Sequence, residues 1–321
     1  MLHRPLGATG LSVPILAFGA SPLGGTFGPI TQEQADRAVG RALELGIDLF
    51  DTSPYYGLGS SEIALGRALA GVPRDRYLLA TKVGRYDIAC FDFSAQRTIA
   101  SCEESLLRLG TDHVDLLQVH DAEFADPQQV LHETLPALER LKRAGKCRAI
   151  GITGLPLATL RFLAEGGVAL DTVLSYCHGC LHDTTLDGLL PLLRQHRLGV
   201  INASPLGMGL LSGAPPPDWH PAPLALREGC AAVAAWCAAR NIDLGALALQ
   251  FSLGLAVDTT LVGMSTAALV ERNAALAGTS ADPELVRAIR ALLAPVQDLT
   301  WVSGRAANHS STEETRCASS T

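Results

Sequence analysis

Short β-branched apolar runs alternate along this chain with longer segments of helical period, and no strand run lacks its helix. Strands are expected at residues 14–18, 47–52, 77–83, 114–120, 147–153, 172–177, 199–204 and 259–263. Helices are expected at 32–45, 61–70, 94–109, 127–144, 157–165, 186–195, 224–240 and 266–277. Parallel strands need a crossover between them, and eight βα units in strict alternation point to a closed (β/α)8 TIM barrel, an α/β fold. A doubly wound sheet would carry a GxGxxG turn after its first strand; Gly19-Ala20-Ser21-Pro22-Leu23-Gly24-Gly25 does not have that spacing. Thr31 with Gln34 three residues on reads as a capping box, and Gly46, Gly110, Gly145 and Gly199 follow helical runs as stop signals.

Three pieces fall outside the repeat. Residues 2–12 carry a Gly7-Ala8-Thr9-Gly10 turn and are expected to form an N-terminal hairpin that plugs the barrel floor. Segments 243–253 and 282–293 are expected as additional C-terminal helices. Residues 1–305 then make one barrel domain, and 306–321, rich in Ser and Thr, a disordered polar tail. An apolar fraction of 48% against 18% charged residues provides for a large core and excludes general disorder. A net charge of -7 argues against a nucleic-acid surface. No apolar run is long enough to cross a membrane, and Gly7, Gly10 and Pro14 interrupt what a signal peptide would need as its core. Eight cysteines, mostly inside apolar runs, read as reduced thiols of a cytoplasmic protein. Cys177 and Cys180 form a CxxC at a strand end rather than at a helix start, a structural pair; with no second pair at zinc spacing, no metal is expected.

Reactive groups in such a barrel sit where strands end. The second strand ends in Asp51-Thr52-Ser53-Pro54-Tyr55-Tyr56-Gly57, the third in Ala80-Thr81-Lys82, and the fourth in Gln118-Val119-His120-Asp121. Lys82 is one of only three lysines, with Lys142 and Lys146. Asp51, Tyr56, Lys82 and His120 make a coherent proton-handling set. A phenol ionises near pH 10, an ammonium beside it stabilises the phenolate, and a carboxylate holds the ammonium in place. An imidazole then orients a substrate oxygen while hydride moves to or from a nicotinamide. Tyr55 competes with Tyr56 for the role of base.

With DTSPYYG, ATK and QVHD on three successive strand ends, the sequence resembles the aldo-keto reductase superfamily. The peptides GASPLGG, ATKVGRYD, FDFSA, GITGLPL, LSYCH, ASPLGMGLL, WHPAP, LVGM and LTWVSG extend the likeness from the first strand to the C-terminal loop. The resemblance implies that Asp51, Tyr56, Lys82 and His120 are the catalytic tetrad. It places Thr153, Gly154 and Ser175 at the nicotinamide carboxamide. It places Ser204, Pro205, Leu206, Gly207 and Gly209 at the pyrophosphate, and Gly263, Met264, Ser265, Arg272 and Asn273 at the adenosine end. Relatives that use NADP carry Lys and Arg in the last of these runs to hold the 2′-phosphate. Residues 263–269 here have no base, so NAD is expected, with Arg272 leaving NADP possible. The resemblance further implies oxidation of a small-molecule aldose, of the L-galactose or L-fucose type, at C1 to the lactone. Tyr55, Phe91, His178 and Trp301 are the expected substrate contacts, and Phe18, Ala20 and Trp219 also lie on loops at the mouth. An NADPH-linked carbonyl reductase and a cofactor-binding regulatory subunit are the alternative readings.

Overall fold

The computed structural model describes residues 1–308. Strands β3 (Leu16–Gly19), β4 (Leu49–Asp51), β5 (Leu78–Val83), β6 (Val114–Val119), β7 (Cys147–Gly154), β8 (Thr172–Tyr176), β9 (Gly199–Ala203) and β10 (Thr259–Gly263) run parallel in sequence order, and β10 pairs back onto β3 to close a barrel. The eight expected strands are all present, with ends shifted by no more than two residues.

The floor is plugged as expected. β1 (His3–Pro5) and β2 (Ser12–Pro14) pair antiparallel, and Leu6, Leu11 and Val13 are buried against the barrel axis. There they meet an apolar layer with one side chain from each barrel strand, from Ala17 on β3 to Leu261 on β10. Side chains alternate across a strand, so two residues further along each strand the inner face rises toward the open end. Leu49 leads to Asp51, Ala80 to Lys82, and Leu116 to Gln118 and then His120. The polar residues of the strand ends therefore form the layer above a dry, plugged floor.

Helices cover the outside. α1 (Gln32–Glu44) starts with the Thr31–Gln34 capping box, with both reciprocal hydrogen bonds in place. α2 (Ser60–Ala68) and α3 (Ala95–Leu109) follow, the latter capped by Ser94. The expected helix 127–144 is interrupted: α4 (Pro127–Gln129) passes through a π turn, Val130–Thr134, into α5 (Leu135–Arg143). Pro136 has no N–H to donate and its ring crowds the preceding turn, so the widened turn absorbs it. α6 (Leu157–Ala164) and α7 (Leu190–Gln195) come next. The latter begins four residues later than expected, at a first turn that holds Pro191, after a 3-10 turn at Thr185–Gly188. α8 (Leu224–Ala238), α9 (Leu244–Leu253), α10 (Ala267–Leu276) and α11 (Pro283–Leu293) complete the shell, including both additional helices.

Gly199 is not the helix stop it resembles; Arg197 takes the left-handed conformation, with φ 58°. Gly199 instead makes room for the plug, because a Cβ there would lie 2.7 Å from Leu6 Cδ1. The tail boundary also moves. Ala306–Asn308 form a 3-10 turn, and Asn308 Nδ2 donates to the carbonyls of Glu123 (2.6 Å) and Ala125 (2.7 Å). The rest of the expected tail lies outside the described residues. Among those residues no helix is long and apolar enough to cross a membrane, and no group of His, Cys, Asp and Glu is arranged to hold a metal ion.

Candidate active site

Lys82 is the centre of the site. It is 2% exposed, and its ammonium has three donors with three acceptors around it: Asp51 Oδ1 at 2.5 Å, the Thr52 carbonyl at 2.9 Å and Tyr56 Oη at 3.3 Å. Gln118 Nε2 donates to the other Asp51 oxygen at 3.0 Å, which fixes the carboxylate from the neighbouring strand. Burial pulls the Lys82 ammonium down, but Asp51 and the phenol outweigh it and hold Lys82 protonated above its ordinary range. Burial likewise lifts the Tyr56 phenol above its ordinary value, and Lys82 opposes that lift without cancelling it. The ammonium alone thus does not make this phenol acidic, as its sequence neighbours had led one to expect. It limits how far burial raises it.

The two tyrosines have different partners. Tyr56 Oη is on Lys82, whereas the Tyr55 ring lies against Arg85, 4.0 Å from centroid to guanidinium carbon. His120 stands edge-on to both rings, at 5.4 Å from Tyr56 and 5.7 Å from Tyr55. Burial, aided by Lys82 and Arg85, keeps its pKa well below the usual imidazole range, so the ring is neutral. Its Nδ1 is 2.8 Å from Ser53 Oγ, which also accepts the Tyr55 N–H at 3.1 Å. The tautomer in which Ser53 donates to Nδ1 carries its single ring proton on Nε2. Ser53 and Gln118 were both inside the quoted motifs, yet only the folded geometry gives them partners.

The candidate cofactor residues lie on β7, β8 and β10, on the loops after β9 and β10, and on α10. Thr153 accepts the Asp121 N–H on its Oγ1 at 3.0 Å. Gly154 lies over Glu123, and a Cβ there would come 2.7 Å from Glu123 Oε2, a buried atom with no hydrogen-bond partner. Ser175 has the outward parity of Val173, while Leu174 and Tyr176 face the axis, so on β8 it is Tyr176 whose side chain enters the barrel. After β9 the backbone is left-handed at Ser204 (φ 55°), Gly207 (φ 56°), Met208 (φ 51°) and Gly209 (φ 113°). The Gly207 and Gly209 N–H groups close this turn on the Ser204 and Leu206 carbonyls, at 2.9 and 3.1 Å. After β10, Gly263 packs on Pro22, Met264 and Asn273 are buried, and Ser265 is half-buried at the rim. Arg272 Nη2 is held by both oxygens of Asp243 at 2.7 Å. The residues present fit a dinucleotide, with no free cation at 263–269 for a 2′-phosphate.

The expected substrate residues are dispersed. Tyr55 stands in the mouth, and Phe91 stacks on Phe124 at 4.4 Å on the loop after β5. His178 is buried, with Nδ1 on Asp183 Oδ2 at 2.9 Å and Nε2 unpaired. Trp301 is buried in a second apolar cluster, edge-on to His220 at 5.2 Å. Phe18 and Ala20 are buried, and Trp219 is half exposed against Phe27, at 5.7 Å. Cys177 and Cys180 remain free thiols, and Cys180 Sγ donates to the Cys177 carbonyl at 3.1 Å.

Residues 15–294 match the model of the Aldo/keto reductase family. The chain belongs to that family, whose members use nicotinamide cofactors, and it is an oxidoreductase. Among curated proteins it is 47% identical to L-galactose dehydrogenase of Arabidopsis thaliana, over 94% of this chain and 97% of that one. It is 32% identical to D-threo-aldose 1-dehydrogenase of a Pseudomonas species, over 83% and 90%. Among solved structures, the holo form of an aldo-keto reductase from Bacillus halodurans superposes with a TM-score of 0.75 at 26% identity, over 94% and 98% of the two chains.

Proposed function

We propose that the protein oxidises an aldose of the L-galactose type at C1 to its lactone, with NAD as acceptor. The observation that carries this reading is the buried Asp51–Lys82–Tyr56 chain with neutral His120 beside it, in a chain 47% identical to an L-galactose dehydrogenase. The oxidised carbon loses a hydride and its hydroxyl loses a proton. When bound, the nicotinamide supplies the acceptor for the hydride. Tyr56 takes the hydroxyl proton, and Lys82 stabilises the phenolate that gives it this capacity. Asp51, fixed by Gln118, keeps the ammonium on the phenol. His120 donates from Nε2 to the C1 oxygen and so aims its proton at Tyr56.

The turn at Ser204, Pro205, Leu206, Gly207 and Gly209 would hold the pyrophosphate. Thr153 and Gly154 would flank the carboxamide, and Gly263, Met264, Ser265 and Asn273 the adenosine. The absence of a base at 263–269 and the engagement of Arg272 by Asp243 favour NAD over NADP. A cytoplasmic setting suits the buried free thiols.

The test is the fate of C1. L-galactose deuterated at C1 and incubated with enzyme and NAD should give deuterated NADH and a galactonolactone by mass spectrometry and NMR. Unlabelled NADH, or an aldehyde formed at C6, would contradict the reading.

A further inference from the structure

Arg85 leaves β5 three residues beyond Lys82 and enters the barrel mouth. Its guanidinium carbon lies 4.0 Å from the Tyr55 ring centre, with Phe124 at 5.2 Å and Phe91 at 5.5 Å. Nη1 pairs with Asp121 Oδ2, and the same oxygen is 3.9 Å from His120 Nε2. One carboxylate oxygen therefore stands between Arg85 and Nε2 of His120. The Arg85 side chain is only 16% exposed, packed between these rings and its carboxylate partner. Nε is buried with no hydrogen-bond partner. A buried donor left unpaired is costly, and a planar fork held by rings and an ion pair cannot swing out to water to satisfy it.

Resting on the aldose reading, we infer that Arg85 is a specificity-determining residue that donates to a substrate hydroxyl other than the one at C1. A polyol offers neutral acceptor oxygens beside the C1 group, and these satisfy the fork without drawing it off Asp121. An anionic substrate group would compete with Asp121 for the same charge.

The experiment compares L-galactose with its 2-, 3-, 4- and 6-deoxy analogues, using NAD, for wild type, Arg85→Met and Arg85→Lys. Arg85→Met should raise KM for L-galactose at least about tenfold, the loss of one hydrogen bond from a charged donor, and should lower kcat far less. It should also erase the wild-type preference over one deoxy analogue and leave the preference over the others in place. Arg85→Lys keeps the charge opposite Asp121, so it should hold the melting temperature near wild type while losing the same preference. An unchanged KM, or one uniform loss across all five sugars, would overturn the inference. A wild type that oxidises none of these sugars defeats the aldose reading and this inference with it, and is seen before any variant is assayed.

Discussion

At the scale of single residues, the proposed proton chemistry rests on one phenol, Tyr56, and the ammonium of Lys82 beside it. Tyr56→Phe keeps the ring and removes the hydroxyl. It should cut kcat for sugar oxidation by about 10²–10⁴-fold, the usual worth of a positioned base, while NAD affinity measured by fluorescence stays within a few-fold. Tyr55→Phe should keep most of the turnover; a reversal between the two variants would transfer the base to Tyr55. Because burial holds the Tyr56 phenol above its ordinary value, oxidation should climb steadily from pH 7 to 10 without a plateau. Neutral His120 adds no acid limb above pH 6. A profile flat over that range, with chemistry shown to limit turnover, would contradict the assignment.

Glu123 titrates with the opposite consequence for stability. Burial, and the nearby Asp121, push its carboxyl up to about 8, while its Oε1 accepts from Ser303 Oγ at 2.8 Å and Leu155 N–H at 3.2 Å. The unfolded side chain ionises near pH 4.3. Below that both states carry the proton and the contribution to stability is full. As pH rises toward 8 the unfolded chain releases its proton and the native one does not, so stability falls. Glu123→Gln preserves the acceptor oxygen and removes the titration. Its melting temperature should therefore gain on wild type as pH goes from 5 to 8.5, whereas a constant offset would refute this. That Asp51, Tyr56, Lys82 and His120 would be neighbours was legible because they lie at the ends of three successive strands. Ser53, Gln118, Arg85 and Glu123 were not, because a hydroxyl, an amide, a rim cation and a loop carboxyl acquire roles only from partners distant in sequence.

Among the elements, alternation was the readable signal. Strands of period two between helices of period 3.6 located the barrel, and the same parity carries Leu49 to Asp51 and Ala80 to Lys82 on the inner face. Where the pattern misled, a local constraint prevailed. Pro136 interrupts a helix whose apolar period is unbroken, and Gly199 carries the composition of a cap but the role of a spacer. Asn308 ties down the first residues of a segment whose polar composition reads as loose. The spacer role is testable. Gly199→Ala should destabilise by about 1–3 kcal/mol in urea unfolding, as overpacking does. Leu6→Ala, itself a cavity mutation, should cost less when made in the Gly199→Ala background than in wild type. Strict additivity of the two would show that plug and strand do not meet there.

The whole molecule divides its tasks by height. The plug and an apolar layer close the floor, the buried ion pair stands above them, and the proposed dinucleotide site lies beyond it, on the strand ends and loops from β7 to β10. Cofactor choice belongs to this scale, since it depends on the field at the far rim rather than on the tetrad. Residues 263–269 carry no cation and Arg272 pairs with Asp243, and on the proposed reading this favours NAD over NADP. The most direct test is the set of initial rates of NAD and NADP reduction with L-galactose, L-fucose, D-arabinose and L-glucose. The account predicts NAD reduction with L-galactose ahead of the other sugars and at least tenfold ahead of NADP. Silence on every sugar, with NADPH consumed by simple aldehydes, would contradict it.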